Sequence, residues 1–166
     1  IADAKGKFTG WKPNLKFTLD VEARDCYYYD MSVEKLKMTL DITYNNLKLI
    51  GRIFQRDVET GDIVLNMDMG KMMASGERHK KFDLVAKVVN HDLSKTMSEY
   101  DLRGIGNANI KLTGTPERFD GGGKAEILNG SFKDIPFTKM LSDYKLNNKE
   151  MIFSQIQLNT TETNPA

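Results

Sequence analysis

Histidine and cysteine, the side chains most used for acid–base, nucleophilic and metal chemistry, are few in this sequence, and their spacing does not bring them together. The chain has two histidines, His79 and His91. Neither is followed by a histidine or a cysteine at position i+2 or i+4, where a second metal ligand would be expected. Both histidines are therefore expected in exposed loops. Cys26 is the one cysteine, so it forms no disulfide within the chain and no thiolate zinc site. We expect it to be a small, half-buried side chain.

Two glycine-containing stretches approach nucleotide-binding motifs without completing them. The stretch that starts at Gly104 has Asn109 where a dinucleotide-binding loop has its third glycine. The stretch that ends at Lys124 has Arg118 in place of the first glycine of a phosphate-binding loop, and Ala125 in place of its magnesium-binding Ser or Thr. No pair of acidic residues stands out as glycosidase carboxylates. The sequence predicts no catalytic residue, no metal site and no cofactor, and therefore no enzyme.

The dominant pattern is an alternation of apolar and polar residues. Because successive side chains of a strand point to opposite faces, each alternating segment predicts a strand with one dry face and one wet face. The dry-face residues of the three clearest segments are Leu15, Phe17, Leu19 and Val21; Leu36, Met38, Leu40, Ile42 and Tyr44; and Ile63, Leu65, Met67 and Met69. A meander of these strands predicts one shared apolar face that includes Leu40, Ile42, Leu49, Leu65 and Met67.

The periodicity predicts sequential hairpins and two short helices. Strands are expected at 6–11, 15–21, 33–44, 47–54, 63–69, 82–88, 108–112, 124–128 and 152–158. Turns are expected at 45–46, at 59–62 and in a glycine-rich loop ending at 121–123, with a polar connection over 70–80. Helices are expected over 92–100, capped by Asp92, and over 135–146, where Phe137, Met140, Leu141 and Tyr144 follow helical spacing.

Composition narrows the class of protein further. Lys and Arg number 24 against 23 Asp and Glu, and the charges are interspersed, so no nucleic-acid-binding surface is predicted. The sequence has no run of 18 apolar residues, so no membrane-spanning helix is predicted. The length fits one domain over residues 1–166. The opening at Ile1 and the polar tail from Asn159 suggest a piece of a longer protein.

The second half of the chain carries a distinctive cadence of glycines between alternating strands. It consists of Leu-x-Gly-x-Gly at 102–106, Gly-Thr-Pro at 114–116, a glycine-rich turn at 121–123, Asn-Gly-Ser-Phe at 129–132 and Ile-Pro-Phe at 135–137. This cadence resembles the AsmA/TamB-like family of bacterial envelope proteins over about residues 80–158. The first 79 residues are similar only in style, as at Leu49-x-Gly51.

The resemblance implies a long antiparallel β-sheet curled into a groove with an apolar interior, together with one or two short helices. Such a groove binds and conducts phospholipid acyl chains in lipid transport or outer-membrane assembly, without catalysis. The implied location is the periplasm or cell envelope, with an inner-membrane anchor outside this chain. Phe17, on the dry face of its strand, is a candidate for lining the groove. Met38, Leu40, Leu65 and Met67 occupy mid-strand positions on the dry faces of their strands.

The alternative from the sequence is a closed β-sandwich. Its dry faces would pack on each other about 10 Å apart, and it would act as an adhesion, carbohydrate-binding or structural module through loops around 70–80 and 115–123. The sequence alone leaves both architectures open. The distinction is whether the dry face is covered by a second layer.

Overall fold

The fold is a single open antiparallel sheet of ten strands. The computed structural model describes residues 1–11, 14–28, 31–69, 81–115 and 117–160. The strands are β1 (Ala2–Thr9), β2 (Lys16–Tyr28), β3 (Met31–Thr43), β4 (Asn46–Gln55), β5 (Val58–Asp68), β6 (Lys81–Asp92), β7 (Leu102–Thr115), β8 (Arg118–Phe132), β9 (Ile135–Asn147) and β10 (Met151–Asn159). Each strand pairs with its neighbours in the chain, and β1 and β10 are the two open edges. The expected mainly β, antiparallel fold is confirmed.

One row of side chains crosses the whole sheet and consists mostly of leucine. Directly paired residues of neighbouring strands point to the same face, so the register defines rows that run perpendicular to the strands. This leucine row is Gly6, Leu19, Leu40, Leu49, Leu65, Leu84, Leu112, Gly121, Leu146 and Met151. Ile42 and Met67 lie one row away on the same face, which confirms the predicted shared face.

The rows on either side extend this apolar face. Toward one end they are Phe8, Phe17, Ile42, Leu47, Met67, Phe82, Gly114 and Phe119. Toward the other end they are Ala4, Val21, Met38, Gly51, Ile63, Ala86, Ile110, Gly123, Tyr144 and Phe153. No charged side chain interrupts these two rows or the leucine row, and the three rows together are called the apolar face below.

The opposite, charged face has the complementary composition. One of its rows reads Asp3, Glu22, Lys37, Arg52, Asp62, Lys87, Asn109, Lys124, Asp143 and Ser154. Ion pairs join neighbouring strands here, such as Lys16 Nζ to Asp41 Oδ1 at 3.0 Å. Ile50, Val64 and Val85 form a short apolar stretch on this otherwise polar face. Val64 belongs to it, which is why an apolar residue stands there where the alternation of β5 calls for a polar one.

The apolar face has no second layer packed on it over most of its extent. Among the described residues, the buried hydrophobic side chains are only Ala86, Ile127, Phe137 and Tyr144, and the leucines of the leucine row are half-buried. A sandwich requires a second sheet about 10 Å away. All ten strands that the structure describes belong to one sheet, so the sandwich architecture is wrong for this part of the chain.

The expected helix over 135–146 is wrong, because these residues form β9. The spacing of its apolar residues satisfied a helical pattern, but a strand gives Phe137 and Tyr144 better contacts. The Phe137 ring lies over Gly130 and Tyr144 lies over Gly123, both in the neighbouring strand β8. Pro136 stands at the second residue of β9, near the strand start where a missing backbone donor is tolerated.

Two other local predictions also need correction, and one helix is shorter than expected. The chain reverses at Arg56 and Asp57, which both have positive φ as in a type I′ hairpin turn, and the expected turn at 59–62 lies inside β5. The glycines at 121–123 lie within β8 instead of ending a loop. The helix expected over 92–100 is a four-residue helix, α1 (Leu93–Thr96), followed by a 3-10 turn (Ser98–Tyr100). The connection over 70–80, with His79, lies outside the described residues.

Candidate functional site: the apolar face and the strap at its end

The apolar face places the predicted groove residues together. Phe17 is half-buried on this face, with its ring centroid 4.5 Å from that of Phe8 on the edge strand. Across the sheet, the rings of Phe82 and Phe119 form a second aromatic pair with centroids 6.1 Å apart. Met38, Leu40, Leu65 and Met67 occupy the middle of the same face. The result is a broad apolar surface whose side chains keep part of their area exposed.

Several glycines on this face are covered by a large side chain from a neighbouring strand or helix. The Tyr144 ring crosses Gly123, and its hydroxyl donates a hydrogen bond to the Asn109 carbonyl, 2.6 Å away. A Cβ at Gly123 would collide with that carbonyl, so no other residue fits there. Burial raises the pKa of Tyr144 above its ordinary value, so the hydroxyl stays protonated and keeps donating. These contacts anchor β9 to β8 and, across it, to β7 on the apolar side.

One end of the apolar face is crossed by residues 93–100, which are called the strap. Asp92 lies just before the strap, and its carboxylate accepts hydrogen bonds from the Ser94 backbone N–H at 3.0 Å and from the Ser94 hydroxyl at 2.6 Å. This is a helix N-cap, as the sequence predicted. The Leu93 side chain then lies directly over Gly106 of β7, where a Cβ would come within 3.0 Å of it. The strap therefore sits on the apolar side of the sheet.

Gln55 ties the start of the strap to the sheet. Its side-chain amide donates to the Asp92 carbonyl at 2.9 Å, and its carbonyl oxygen accepts from the Asp92 backbone N–H at 2.8 Å. These two bonds join the end of β4 to the end of β6 in the way that a pair of backbone hydrogen bonds joins two strands. They lie next to the β4–β5 turn, which ends at Asp57. Gln55 is buried, so its amide needs both partners.

His91 is the buried centre of this end, and the expectation of an exposed loop histidine is wrong for it. One ring nitrogen, Nδ1, lies 2.9 Å from Thr60 Oγ1, and Nε2 lies 2.7 Å from Thr96 Oγ1 in the strap. Burial lowers the pKa of His91, against the opposing influence of Asp92 and Glu34. A neutral imidazole donates from one nitrogen and accepts at the other, so it can satisfy both threonines.

The strap also reaches β3, four positions away from β7 in the sheet. The Ser32 hydroxyl donates to the Lys95 carbonyl at 3.2 Å, and Lys95 Nζ lies 3.1 Å from Glu34 Oε1. In a flat sheet β3 and β7 would be about 19 Å apart, whereas a four-residue helix is about 6 Å long. The sheet therefore bends around the strap at this end, with the apolar face on the inside of the bend.

Charged side chains close the outer rim of the strap. Glu34 Oε2 accepts a hydrogen bond from the Arg56 backbone N–H at 2.7 Å, which is the main cause of its lowered pKa, with Lys95 adding to it. Arg56 Nη2 lies 3.2 Å from Asp92 Oδ2. The rim thus consists of two ion pairs and one backbone hydrogen bond that connect β3, the β4–β5 turn, the end of β6 and the strap.

A depression lies on the other side of the sheet, away from the predicted groove. This cleft of about 890 Å³ is lined by Asp3, Ala4, Lys5, Asp20, Val21, Glu22, Lys37, Met38, Thr39, Ile50 and Arg52. Eight of these residues point to the charged face according to the register. Glu22 is paired with Arg24 at 3.1 Å and with Lys37 at 3.4 Å, and the hydrogen bond from Arg24 is the main cause of its lowered pKa. The lining is thus rich in charge, and Glu22 and Lys37 are already paired, which does not suit an apolar ligand.

Neither similarity to known proteins nor a cluster of reactive side chains among the residues that the structure describes points to a function. The chain matches no family model, no curated protein and no solved structure, so the resemblance to the AsmA/TamB-like family rests on the sequence cadence alone. Within the described ranges, no three His, Cys, Asp or Glu side chains are grouped to hold a metal ion. No helix in the same ranges has the length and apolar character needed to cross a membrane. Cys26 is half-buried, as expected.

Proposed function

We propose that the apolar face binds lipid acyl chains without chemistry, as part of a protein that moves phospholipids or helps to assemble the outer membrane. The observation that carries the proposal is the set of apolar rows that crosses the sheet with no second layer on it. Exposed apolar surfaces of this extent mark binding sites, because water contact with them is costly.

The magnitude of binding fits a chain that is held and released. Burying one methylene group contributes about 0.8 kcal/mol. Six methylenes laid along the leucine row would contribute about 5 kcal/mol before the loss of chain freedom is subtracted. Since no polar contact is needed, no single interaction has to break for the chain to slide to the next row. Such weak and repeated contacts suit transfer better than storage.

The wider setting comes from the resemblance to the AsmA/TamB-like family. A member of that family would act in the periplasm, anchored to the inner membrane by a segment outside this chain, and would meet the membrane through its parent protein. Phospholipid acyl chains are then the ligand class, and neither a nucleic acid nor a cofactor takes part. The bend of the sheet around the strap supports this proposal, because it places the apolar face on the inside.

The test is site-specific photocrosslinking at two adjacent positions of β6. A photoreactive amino acid at Leu84 lies in the leucine row, whereas the same residue at Val85 lies on the charged face and is 49% exposed. After expression in a bacterial host, mass spectrometry of the ultraviolet-treated protein should find phospholipid adducts from position 84 only.

Three results would count against the proposal. Equal lipid adducts at both positions would mean that the reagent samples lipid without a binding face. Dimer adducts from position 84 would mean that a second copy covers the apolar face. No adducts from position 84, with intact protein by circular dichroism, would mean that the face binds no lipid under these conditions.

A further inference from the structure

We propose that the strap, residues 93–100, is a gate that opens as a unit and controls access of acyl chains to its end of the apolar face. This inference rests on the proposed function, and it adds a regulated entrance to that site. The inference rests on the polar contacts that hold the strap in place, which are called the clasp. Of the four buried polar side chains among the described residues, Gln55, Thr60 and His91 lie in this clasp.

The strap is able to leave without breaking the sheet. Pairing between β6 and β7 ends at Asp92 and Ile105, so the strap lies outside the ladder of strand hydrogen bonds. None of its residues is buried, and a four-residue helix has no stability of its own. Its closed position therefore depends on the tertiary contacts beneath it.

Several of those contacts are polar. Thr96 bonds to His91, the Lys95 carbonyl bonds to Ser32, and the Lys95 ammonium pairs with Glu34. Leu93 over Gly106 adds an apolar contact with the face itself. Gln55 holds Asp92, just before the strap, and so provides a fixed hinge point.

The closed and open forms present different surfaces to an acyl chain. In the closed form, Leu93 covers Gly106, and the threonine–histidine contacts place polar groups where the apolar rows would otherwise continue. In the open form, Gly106 becomes accessible on this face. Opening therefore lengthens the apolar path at this end of the sheet.

The experiment weakens the clasp in two independent ways and follows both opening and ligand entry. Thr96→Val removes the hydroxyl that faces His91 at nearly constant shape, and Leu93→Ala removes the apolar contact. Thr113→Val, at an exposed position of β7 on the charged face, is the matched control. Hydrogen exchange at pH 7 reports opening, and stopped-flow binding of a dansyl-labelled undecanoic acid reports entry.

The expected result is local and kinetic. Loss of one buried hydrogen bond should speed exchange of the amides in 93–100 by about 5- to 30-fold, with exchange in β3 to β5 unchanged. Association of the probe should accelerate in the same two variants and not in the control. Its equilibrium affinity should change much less, since the leucine row is untouched.

Failure of this proposal is separable from failure of the proposed function. Unchanged exchange in 93–100, or faster exchange throughout the strands, would overturn the gate, because the strap would then be either rigid or merely structural. Faster local exchange with an unchanged association rate would also overturn it. If the wild-type protein binds no probe at equilibrium, the proposed function fails, and the gate then falls with it.

Discussion

Replacing Leu65 by aspartate places a charge in the middle of the leucine row and distinguishes an open apolar face from a packed core. Leu65 is half-buried, so the substitution forfeits about half of the 1.5–3 kcal/mol that full burial of a leucine contributes. The new carboxylate can keep its water, because no second layer covers this part of the described sheet. We expect a loss of about 1–1.5 kcal/mol in the free energy of unfolding.

The assay combines thermal melting with binding of the dansyl-labelled fatty acid. For a chain of this size, 1 kcal/mol shifts Tm by about 2–4 °C, so Leu65→Asp should melt about 2–6 °C lower and remain folded at 25 °C. Probe affinity should fall strongly, because a charge now interrupts the apolar path. Asn66→Asp is the control, since it adds the same charge at the next position, exposed on the charged face.

The reasoning would be refuted by loss of the folded state in Leu65→Asp. Burial of an unpaired charge in a closed core costs several kcal/mol, enough to unfold a protein of ordinary stability. Unfolding would therefore mean that another layer covers Leu65 in solution. Unchanged probe affinity in a folded variant would instead show that the ligand binds elsewhere.

Three further outcomes follow from buried or close-packed positions. Phe137 is 3% exposed, so Phe137→Ala should cost about 3–5 kcal/mol in denaturant unfolding, whereas Phe8→Ala, at 70% exposure, should cost far less. Gly123→Ala should destabilise strongly through collision with the Asn109 carbonyl, whereas Gly51→Ala meets only ordinary contacts and should be neutral or slightly stabilising in the same assay. Because burial lowers the pKa of His91 in the folded state, its stabilising contribution is complete above the unfolded pKa of about 6.5 and declines as pH falls toward the folded pKa. Thermal melting of the wild-type protein between pH 7.5 and 5 should show this decline. Subtracting the pH profile of His91→Gln removes the contribution of the carboxylates. Identical pH profiles of the wild type and His91→Gln would contradict the assignment.

The alternating faces could be predicted from sequence because they depend on local periodicity alone. Leu40 and Leu65 needed only correct parity and correct turns to reach the same face. The segment 135–146 was different, since Phe137, Met140, Leu141 and Tyr144 satisfy a helical stripe. Its strand pattern is obscured by Ser142, a buried polar residue in an otherwise apolar row, which bonds to the Ser154 carbonyl. The deciding contacts, with Gly123 and Gly130, come from the neighbouring strand and leave no local signal.

The clasp beneath the strap was missed for a similar reason. The Asp92 cap was predicted because its partner Ser94 is two residues away. His91 reaches Thr60 across 31 positions of sequence, and Gln55 reaches Asp92 across 37, so only the assembled sheet brings them together. The turn at Arg56 and Asp57 lacks the Asn-Gly sequence typical of such hairpins. The sequence instead predicted the turn at 59–62, because Gly61 is the nearby residue typical of turns.

The strictly sequential order of the strands also bears on how the chain folds and opens. Each pairing closes a short loop, so every strand can add to its predecessor at little entropic cost, without waiting for a distant segment. Unfolding can run the same course in reverse from either side. All residues of β1 and β10 are exposed, so these strands fray first, and protection should rise inward to the β8–β9 pair that holds Phe137 and Tyr144.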